Sequence, residues 1–108
     1  MTDWQSNIQA EFDQAEQARA KGNEGRARVC ARRAAGIAIR EYLTRKGVTP
    51  SSASAVDLLN LLKADPLLPP DLKPIVEHLT LRVTEEFKLP LEADLIAEAR
   101  RLCNALLK

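Results

Sequence analysis

The chain has 108 residues, of which 45% are hydrophobic and 29% charged, and its formal net charge is +1. This length predicts a single domain, residues 1–108, with a hydrophobic core of its own. A net charge near zero gives no general reason to expect nucleic acid or an anionic membrane as a partner. No apolar run approaches the roughly 18 residues of a membrane span, and the N-terminal segment lacks the regions of a signal peptide. We therefore expect a cytoplasmic protein.

Alanine and leucine supply most of the apolar residues, whereas aromatic residues make up 4% of the chain. This composition favours helices over sheet, and no segment shows the alternation that is typical of a strand. We predict an all-α fold, an up-and-down bundle of four to five helices.

The first predicted helix runs from about Asp3 to Lys21, and Thr2 with Gln5 has the form of a capping box. Apolar residues recur along it at steps of three and four and form one stripe: Trp4, Ile8, Phe12 and Ala15. Gly22 and Asn23 then provide a stop and a new cap. Such a short turn predicts that the first two helices pack as an antiparallel hairpin.

The second predicted helix, Glu24 to Arg45, is the longest. Small and apolar residues fall on one broad arc of it: Ala27, Cys30, Ala31, Ala34, Ile37, Ala38 and Tyr42. Gly36 inside the helix costs about 1 kcal/mol relative to alanine, so we predict a close helix crossing at this position. The pattern indicates the central helix of the bundle.

A short third helix is predicted to begin at Ser54, with Asp57 completing a capping box, and to close at Asp65-Pro66. Its apolar residues are too many for one stripe, so we expect burial on more than one side: Val56, Leu58, Leu59, Leu61 and Leu62. A fourth helix should follow, capped by Asp71, with an apolar stripe that continues to Phe87.

The fifth helix is predicted from about Leu91 to Leu107. Cys30 and Cys103 each lie in an apolar helical pattern and are too far apart for a metal or redox motif, so we expect reduced core cysteines. A disulfide between them is the alternative, and it requires the two helices to touch there.

No catalytic motif is recognisable in the sequence, and we predict no enzymatic activity, no cofactor and no metal site. His78 is the only histidine, and without further ligands at a suitable spacing it makes a poor metal site. The alternative is an acid–base role, which would require a cleft near Glu77 or Arg82. The acidic residues near the last helix are expected to be solvated ends and caps: Glu85, Glu86, Glu92 and Asp94.

Arginines on the second helix form the only candidate binding surface: Arg26, Arg32, Arg33 and Arg40. We favour a solvated face, partly paired with Glu11, Asp13 or Glu16 of the first helix. Contact with a protein partner is one alternative, and contact with RNA or nucleotide phosphates is another. Nucleic acid is not favoured, because no aromatic residues are interleaved for base stacking.

Five features in this order resemble the HEPN superfamily. They are Ala18-x-x-x-Gly22-Asn23, the segment 38–43 (AIREYL), the segment 57–62 (DLLNLL), Leu67-x-Pro69-x-Asp71, and Asp94-x-x-x-Glu98-Ala99-x-x-Leu102. The resemblance covers about residues 5–107. It implies a bundle of four or five helices that often dimerises, a nucleotidyltransferase-type protein as partner, and, in one branch, RNA cleavage.

The chain departs from the catalytic HEPN pattern, in which a histidine follows an arginine by four to six residues near the last helix. The region from Arg82 to Asp94 contains no histidine, and His78 precedes Arg82. The resemblance therefore implies a non-catalytic member.

We predict that the protein is a non-catalytic protein-interaction or scaffold module and a homodimer. The dimer is expected because the apolar positions outnumber those that a bundle of this size can hide: Ile39, Leu43, Leu67, Leu68 and Leu89. The alternative is an RNA- or nucleotide-binding protein that uses the arginine face of the second helix.

Overall fold

The computed structural model describes residues 3–49, 54–80 and 94–107, which contain five α-helices, one 3-10 turn and no strand. The helices are α1 (Trp4–Ala20), α2 (Glu24–Arg45), α3 (Ala55–Lys63), α4 (Lys73–Thr80) and α5 (Leu95–Leu106), and the turn is Pro70–Leu72. Their buried side chains form one continuous core. The predicted all-α bundle is confirmed.

The turn between α1 and α2 follows the predicted chemistry. Gly22 adopts φ of +79°, and the backbone N–H of Asn23 donates to the Ala18 carbonyl at 2.8 Å, the geometry of a Schellman C-cap. The Asn23 side chain then accepts from the backbone N–H of Arg26 and caps α2. The Arg45 guanidinium lies 5.4 Å from the Trp4 ring centre, so the far ends of the two helices meet and the hairpin is antiparallel.

The cap of α1 differs from the predicted one. Asp3, with extended backbone angles, is the N-cap, and its carboxylate accepts from the backbone N–H of Gln5 at 3.0 Å. A carboxylate at a helix N-terminus also interacts favourably with the helix dipole. The cap therefore lies one residue later than Thr2, which is outside the described residues.

Helix α2 is the centre of the bundle, as predicted. Packing against α1, α3 and α5 buries nine of its residues: Ala27, Cys30, Ala31, Ala34, Ala35, Gly36, Ala38, Ile39 and Leu43. Because most of them are alanine or glycine, the neighbouring helices can approach the α2 backbone closely.

This burial on several sides corrects the sequence-based argument for a dimer. Ile39 and Leu43 have exposed fractions of 0% and 7%, and Leu68 has 3%, so the bundle itself hides them. Only Leu67, at 73%, is strongly exposed, while Leu89 lies outside the described residues. A single buried arc on α2 would leave Ile39 and Leu43 at the surface, and they are buried because the helix is covered on several sides.

Gly36 marks the crossing of α2 and α3. A Cβ atom placed on Gly36 would lie 3.1 Å from the Ala55 Cβ and 3.2 Å from the Ala55 Cα. These distances are shorter than ordinary van der Waals contact, and one of the atoms belongs to the backbone. The predicted close crossing is confirmed, and Ala55 is the residue that occupies the space.

Helix α3 is buried on one side, not on several. Leu58, Leu59 and Leu62 are in the core, whereas Val56 and Leu61 are each 48% exposed. Among the described helices it packs mainly against α2 and α4, and Val56 and Leu61 lie on its other side. Ser54 is the N-cap residue, as predicted, but its side chain makes no capping hydrogen bond, so the Ser54 half of the predicted capping box is absent.

The connector after α3 is fixed by Asp65. Its carboxylate accepts from the backbone N–H of Leu67 at 2.9 Å, from the Tyr42 hydroxyl at 3.4 Å and from Lys46 Nζ at 3.5 Å. The hydrogen bond from Leu67 is the main reason that the pKa of Asp65 lies below its usual value, and the charge of Lys46 adds to it. These contacts attach the connector to the C-terminal end of α2.

Helix α4 begins differently from the prediction. Asp71 lies inside the 3-10 turn Pro70–Leu72 and does not cap α4; its carboxylate is 3.4 Å from Arg101 Nη2. Prolines at positions 69 and 70 supply fixed backbone angles that suit such a turn. The predicted continuation to Phe87 lies outside the described residues.

Helix α5 starts at Leu95 and not at Leu91, because Asp94 has extended backbone angles and is the N-cap. Its carboxylate accepts from the backbone N–H of Ala97 at 3.1 Å and from Arg19 Nη1 at 2.9 Å. Arg19 also contacts Glu24 at 2.7 Å, and so one guanidinium joins α1, α2 and the start of α5. The assignment of Asp94 as a cap is confirmed, while Glu85, Glu86 and Glu92 lie outside the described residues.

The two cysteines are free and buried, as predicted. The Cys103 thiol donates to the Ala34 carbonyl at 3.8 Å. Burial raises the pKa of Cys103 to about 12, so the side chain stays a neutral thiol near neutral pH.

The α2–α3 crossing predicts that substitutions at two glycines of α2 change the free energy of unfolding differently. Gly36→Leu should lower the free energy of unfolding by about 1–3 kcal/mol, because the side chain must displace the Ala55 backbone. Gly25 has no atom within van der Waals distance except Asn23 Oδ1 at 3.8 Å, so Gly25→Ala should leave stability unchanged or raise it by up to about 1 kcal/mol. Urea unfolding followed by circular dichroism measures both, and equal effects would contradict the crossing.

Candidate functional site

The structure separates the four arginines that the sequence placed on one face. Arg33 and Arg40 are exposed and line a groove between α2 and α3. Arg26 lies in a different hollow near the α1–α2 turn, where Arg26 Nη2 donates to Gln14 Oε1 at 3.4 Å. Arg32 borders the groove, but its guanidinium is engaged in the bundle. The predicted face is therefore reduced to Arg33 and Arg40.

Arg32 has a structural contact instead of a solvated one. Its Nε donates to the Leu79 carbonyl of α4 at 2.7 Å. Burial, and then the neighbouring charge of Arg28, lower the pKa of Arg32, although an arginine stays protonated at any physiological pH. The long aliphatic stem of arginine can cross an apolar surface and carry its charged end to a carbonyl. The helical wheel contains no information on that carbonyl, which belongs to a distant segment.

The predicted pairing between α1 acids and α2 arginines is not what the structure shows for Arg33 and Arg40. Glu16 lies 3.8 Å from Arg100 of α5, and Asp13 accepts a hydrogen bond from Gln9. Within residues 3–49, 54–80 and 94–107, neither Arg33 nor Arg40 has an ion pair or a side-chain hydrogen bond. Among the described side chains, none therefore neutralises either guanidinium group.

The groove has a volume of about 570 Å³, and we call it the α2–α3 groove. One wall is α2, which contributes Arg33 and Arg40 together with apolar side chains. The start of α3 forms the second wall, and Glu11 of α1 lies at the edge. Val29 and Val56 line the groove and are 40% and 48% exposed. Its surface is thus largely apolar, with Arg33, Arg40 and the carboxylate of Glu11 beside it.

The groove follows an open stripe along α2, which we define as Val29, Arg33, Ile37, Arg40 and Thr44. These residues are spaced by four, four, three and four positions, so they lie on one side of the helix. Ile37, which the sequence analysis placed in the buried arc, is half-buried and belongs to this stripe. The spacing of this stripe is present in the sequence, but the prediction that the whole apolar arc faces inward places Ile37 in the core.

Trp4 extends the site beyond the groove. A hollow of about 390 Å³ shares Ile37 and Arg40 with the groove and includes Trp4, Asn7 and Thr44. Trp4 is half-buried, with Arg45 above its ring. From the sequence, Trp4 is expected only in the internal stripe of α1, and nothing in the sequence shows that its ring lies beside the open stripe of α2.

A second groove, between α1 and α5, has a volume of about 590 Å³. It is lined by Trp4, Gln5, Ile8, Cys103, Asn104 and Leu107. None of these side chains carries a charge at neutral pH, so this groove offers less to define a partner's chemistry than the α2–α3 groove.

His78 forms an interhelical pair. Its Nδ1 lies 2.7 Å from Glu98 Oε1 of α5, and both side chains are about three-quarters buried, with exposed fractions of 26% and 24%. The partner is not Glu77, which is exposed, and Arg82 lies outside the described residues. The contact connects α4 to α5, and the other carboxylate oxygen, Glu98 Oε2, is buried without a hydrogen bond from the described part of the chain.

Among the described residues, no three histidine, cysteine or carboxylate side chains converge as metal ligands would. None of the helices in these same segments combines the length and apolar content that a membrane crossing requires.

Comparisons with protein-family models, with curated proteins and with solved structures found no match to the chain. The HEPN resemblance therefore rests on the order and patterning of the helices alone.

The different environments of two neighbouring arginines give a direct test of the site. Arg32→Met removes the donor to the Leu79 carbonyl and should lower the free energy of unfolding by about 1.5–3 kcal/mol, the usual range for a hydrogen bond to a charged group. Arg33→Met changes an exposed side chain and should stay within about 0.5 kcal/mol. Urea denaturation of both variants provides the comparison. A loss of unfolding free energy for Arg33→Met as large as that for Arg32→Met would mean that Arg33 is a structural residue and would contradict its place in the site.

Proposed function

We propose that the protein is a non-catalytic, HEPN-like helical bundle that acts as a protein-interaction module through the α2–α3 groove. One observation carries the proposal: in the described part of the chain, a largely apolar groove lies beside Arg33 and Arg40, which have no ion pair there. Interfaces between proteins commonly combine an apolar centre with arginine and aromatic residues. Trp4 lies beside the same stripe and supplies the aromatic residue.

A protein partner is favoured over RNA or a nucleotide by the make-up of the groove. Binding of single-stranded nucleic acid usually combines a basic track with aromatic rings on which bases stack. Among the described residues that line the α2–α3 groove none is aromatic, and the single ring beside it, that of Trp4, has Arg45 above it, so no series of rings is present for stacking bases. Arg26 and Arg32 are occupied elsewhere. A groove that combines two arginines with apolar side chains is more complementary to a protein surface than to a phosphate backbone. The HEPN resemblance supports a nucleotidyltransferase-type protein as the source of that surface.

Self-association is a second part of the proposal. Its support is the exposure of Leu67, at 73%, and of Leu61, at 48%. Contiguous apolar surface is common at contacts between subunits, and the HEPN resemblance, whose members often dimerise, supports the same arrangement.

Site-specific photo-crosslinking tests the groove as an interaction surface. A photoreactive amino acid at Val29 should capture a discrete protein in the source cells, whereas the same group at the exposed Ala10 of α1 should not. Arg33→Glu with Arg40→Glu should reduce the Val29 product several-fold, because both charges at the groove are reversed. A product that is digested by nuclease and not by protease would replace the proposal with the nucleic-acid alternative. Equal capture from Val29 and Ala10 would refute it.

Sedimentation equilibrium at micromolar concentration tests self-association. We expect a dimer for the unmodified chain and a monomer for Leu67→Glu, since a buried charge would oppose the apolar contact. Lys63→Glu, an exposed substitution on α3 that changes the net charge more than Leu67→Glu does, is the control and should remain dimeric. A monomeric unmodified chain would contradict the dimer.

A further inference from the structure

We propose that the α2–α3 groove takes an amphipathic α-helix of the partner that carries two carboxylates seven residues apart. This inference rests on the proposed function, because it names the kind of segment that the interaction surface recognises.

The open side of α2 has the shape of a helix-packing position. Helices α1, α3 and α5 already pack against α2, and the stripe Val29, Arg33, Ile37, Arg40 and Thr44 is the side that they leave uncovered. Its spacing of three and four residues is the pattern by which helices pack along one another. From Val29 to Thr44 the stripe extends for about 22 Å, at a rise of 1.5 Å per residue. An occupant helix would therefore have about four turns.

The charges determine what the occupant must carry. Arg33 and Arg40 are seven residues apart, which places them about 10.5 Å apart along the axis and on the same side. Carboxylates seven residues apart on a parallel or antiparallel partner helix have the same separation. Each guanidinium can then receive one carboxylate, and neither has a competing partner in the described part of the chain.

The apolar residues determine the remainder of the pattern. Ile37 lies between the two arginines, Val29 lies before them, and Trp4 lies beyond Arg40. An occupant therefore needs apolar side chains between its two carboxylates and outside each of them. An extended acidic peptide would not match this spacing, because the side chains on one of its faces repeat about every 6.7 Å and no two of them lie about 10.5 Å apart.

Helix packing also explains why the groove is preformed. The close contact of Gly36 with Ala55 fixes α3 beside α2, and the groove wall then consists of the first turn of α3. A partner helix would then find this wall in place, and the ordering of the wall would not be part of the cost of binding.

Designed peptides test the inference with fluorescence anisotropy on the full chain. The matched probe is a helical peptide of about 16 residues with two glutamates seven positions apart and leucines between and outside them. One control has lysines for the glutamates, and another has the glutamates moved to the opposite side of the helix. The matched peptide should bind about tenfold more tightly than either control, because two ion pairs beside the groove are gained.

A charge exchange makes the test specific. Arg33→Glu with Arg40→Glu should abolish the preference for the glutamate peptide and favour the lysine peptide instead. Circular dichroism of this exposed double variant verifies that the bundle is intact. A preference that survives the double variant, or no binding of any peptide, would overturn the helix inference.

The crosslinking result separates this failure from a failure of the proposed function. If no peptide binds while Val29 still captures a protein, the interaction surface stands and its ligand is not such a helix. If Val29 crosslinks only to a second copy of the folded chain, the inference of a partner helix is likewise overturned. Salt-dependent binding of an oligonucleotide at the groove would overturn both proposals.

Discussion

The contact between Gly36 and Ala55 is the constraint on which the remaining structure depends. At this point the backbones of α2 and α3 approach so closely that a methyl group would not fit without displacing one of them. The approach places the first turn of α3 beside the middle of α2 and leaves Val56 at the edge of an open groove. The cost of a glycine inside a helix, about 1 kcal/mol, is offset by the burial that this crossing allows in Leu58, Leu59 and Leu62.

Helix α2 serves two purposes because its sides differ in residue size and charge. On its buried sides, alanines allow three helices to approach. On its open side, Arg33 and Arg40 alternate with Val29 and Ile37, so a helix that packs there must bring opposite charge, because a buried charge without a partner is costly. The two arginines are hydrated in the free protein, and their charge is complementary to that of an acidic amphipathic partner.

The architecture could be predicted from the sequence to the extent that it depends on local signals. Gly22 and Asn23 specify the hairpin because a left-handed glycine and an asparagine cap act within one turn, and Gly36 indicates a close crossing by its cost alone. The starts of α1 and α5 are predicted less accurately, since the caps are Asp3 in place of Thr2 and Asp94 in place of a start at Leu91. The 3-10 turn at Pro70–Leu72 depends on how the connector docks and was not predicted.

The site was only partly predictable, because its composition depends on contacts between distant segments. The exposed charge of Arg33 and Arg40 follows from the helical wheel. The removal of Arg32 from the candidate face depends on the Leu79 carbonyl, 47 positions away in the chain. Likewise, Val56 and Trp4 join the site only because α3 and α1 pack on either side of the open stripe. A one-dimensional pattern identifies charged and apolar faces, but which of them remain open is decided by the packing of the other helices.

The most direct test of the account is a two-dimensional ¹H–¹⁵N NMR titration of the labelled chain with the matched glutamate peptide. The account predicts that the largest shifts occur at the backbone amides of Gly36, Ile37, Ala55 and Val56, which lie along the α2–α3 groove. Shifts centred instead on Gln5 and Asn104 of the α1–α5 groove would contradict it, as would a spectrum that does not change.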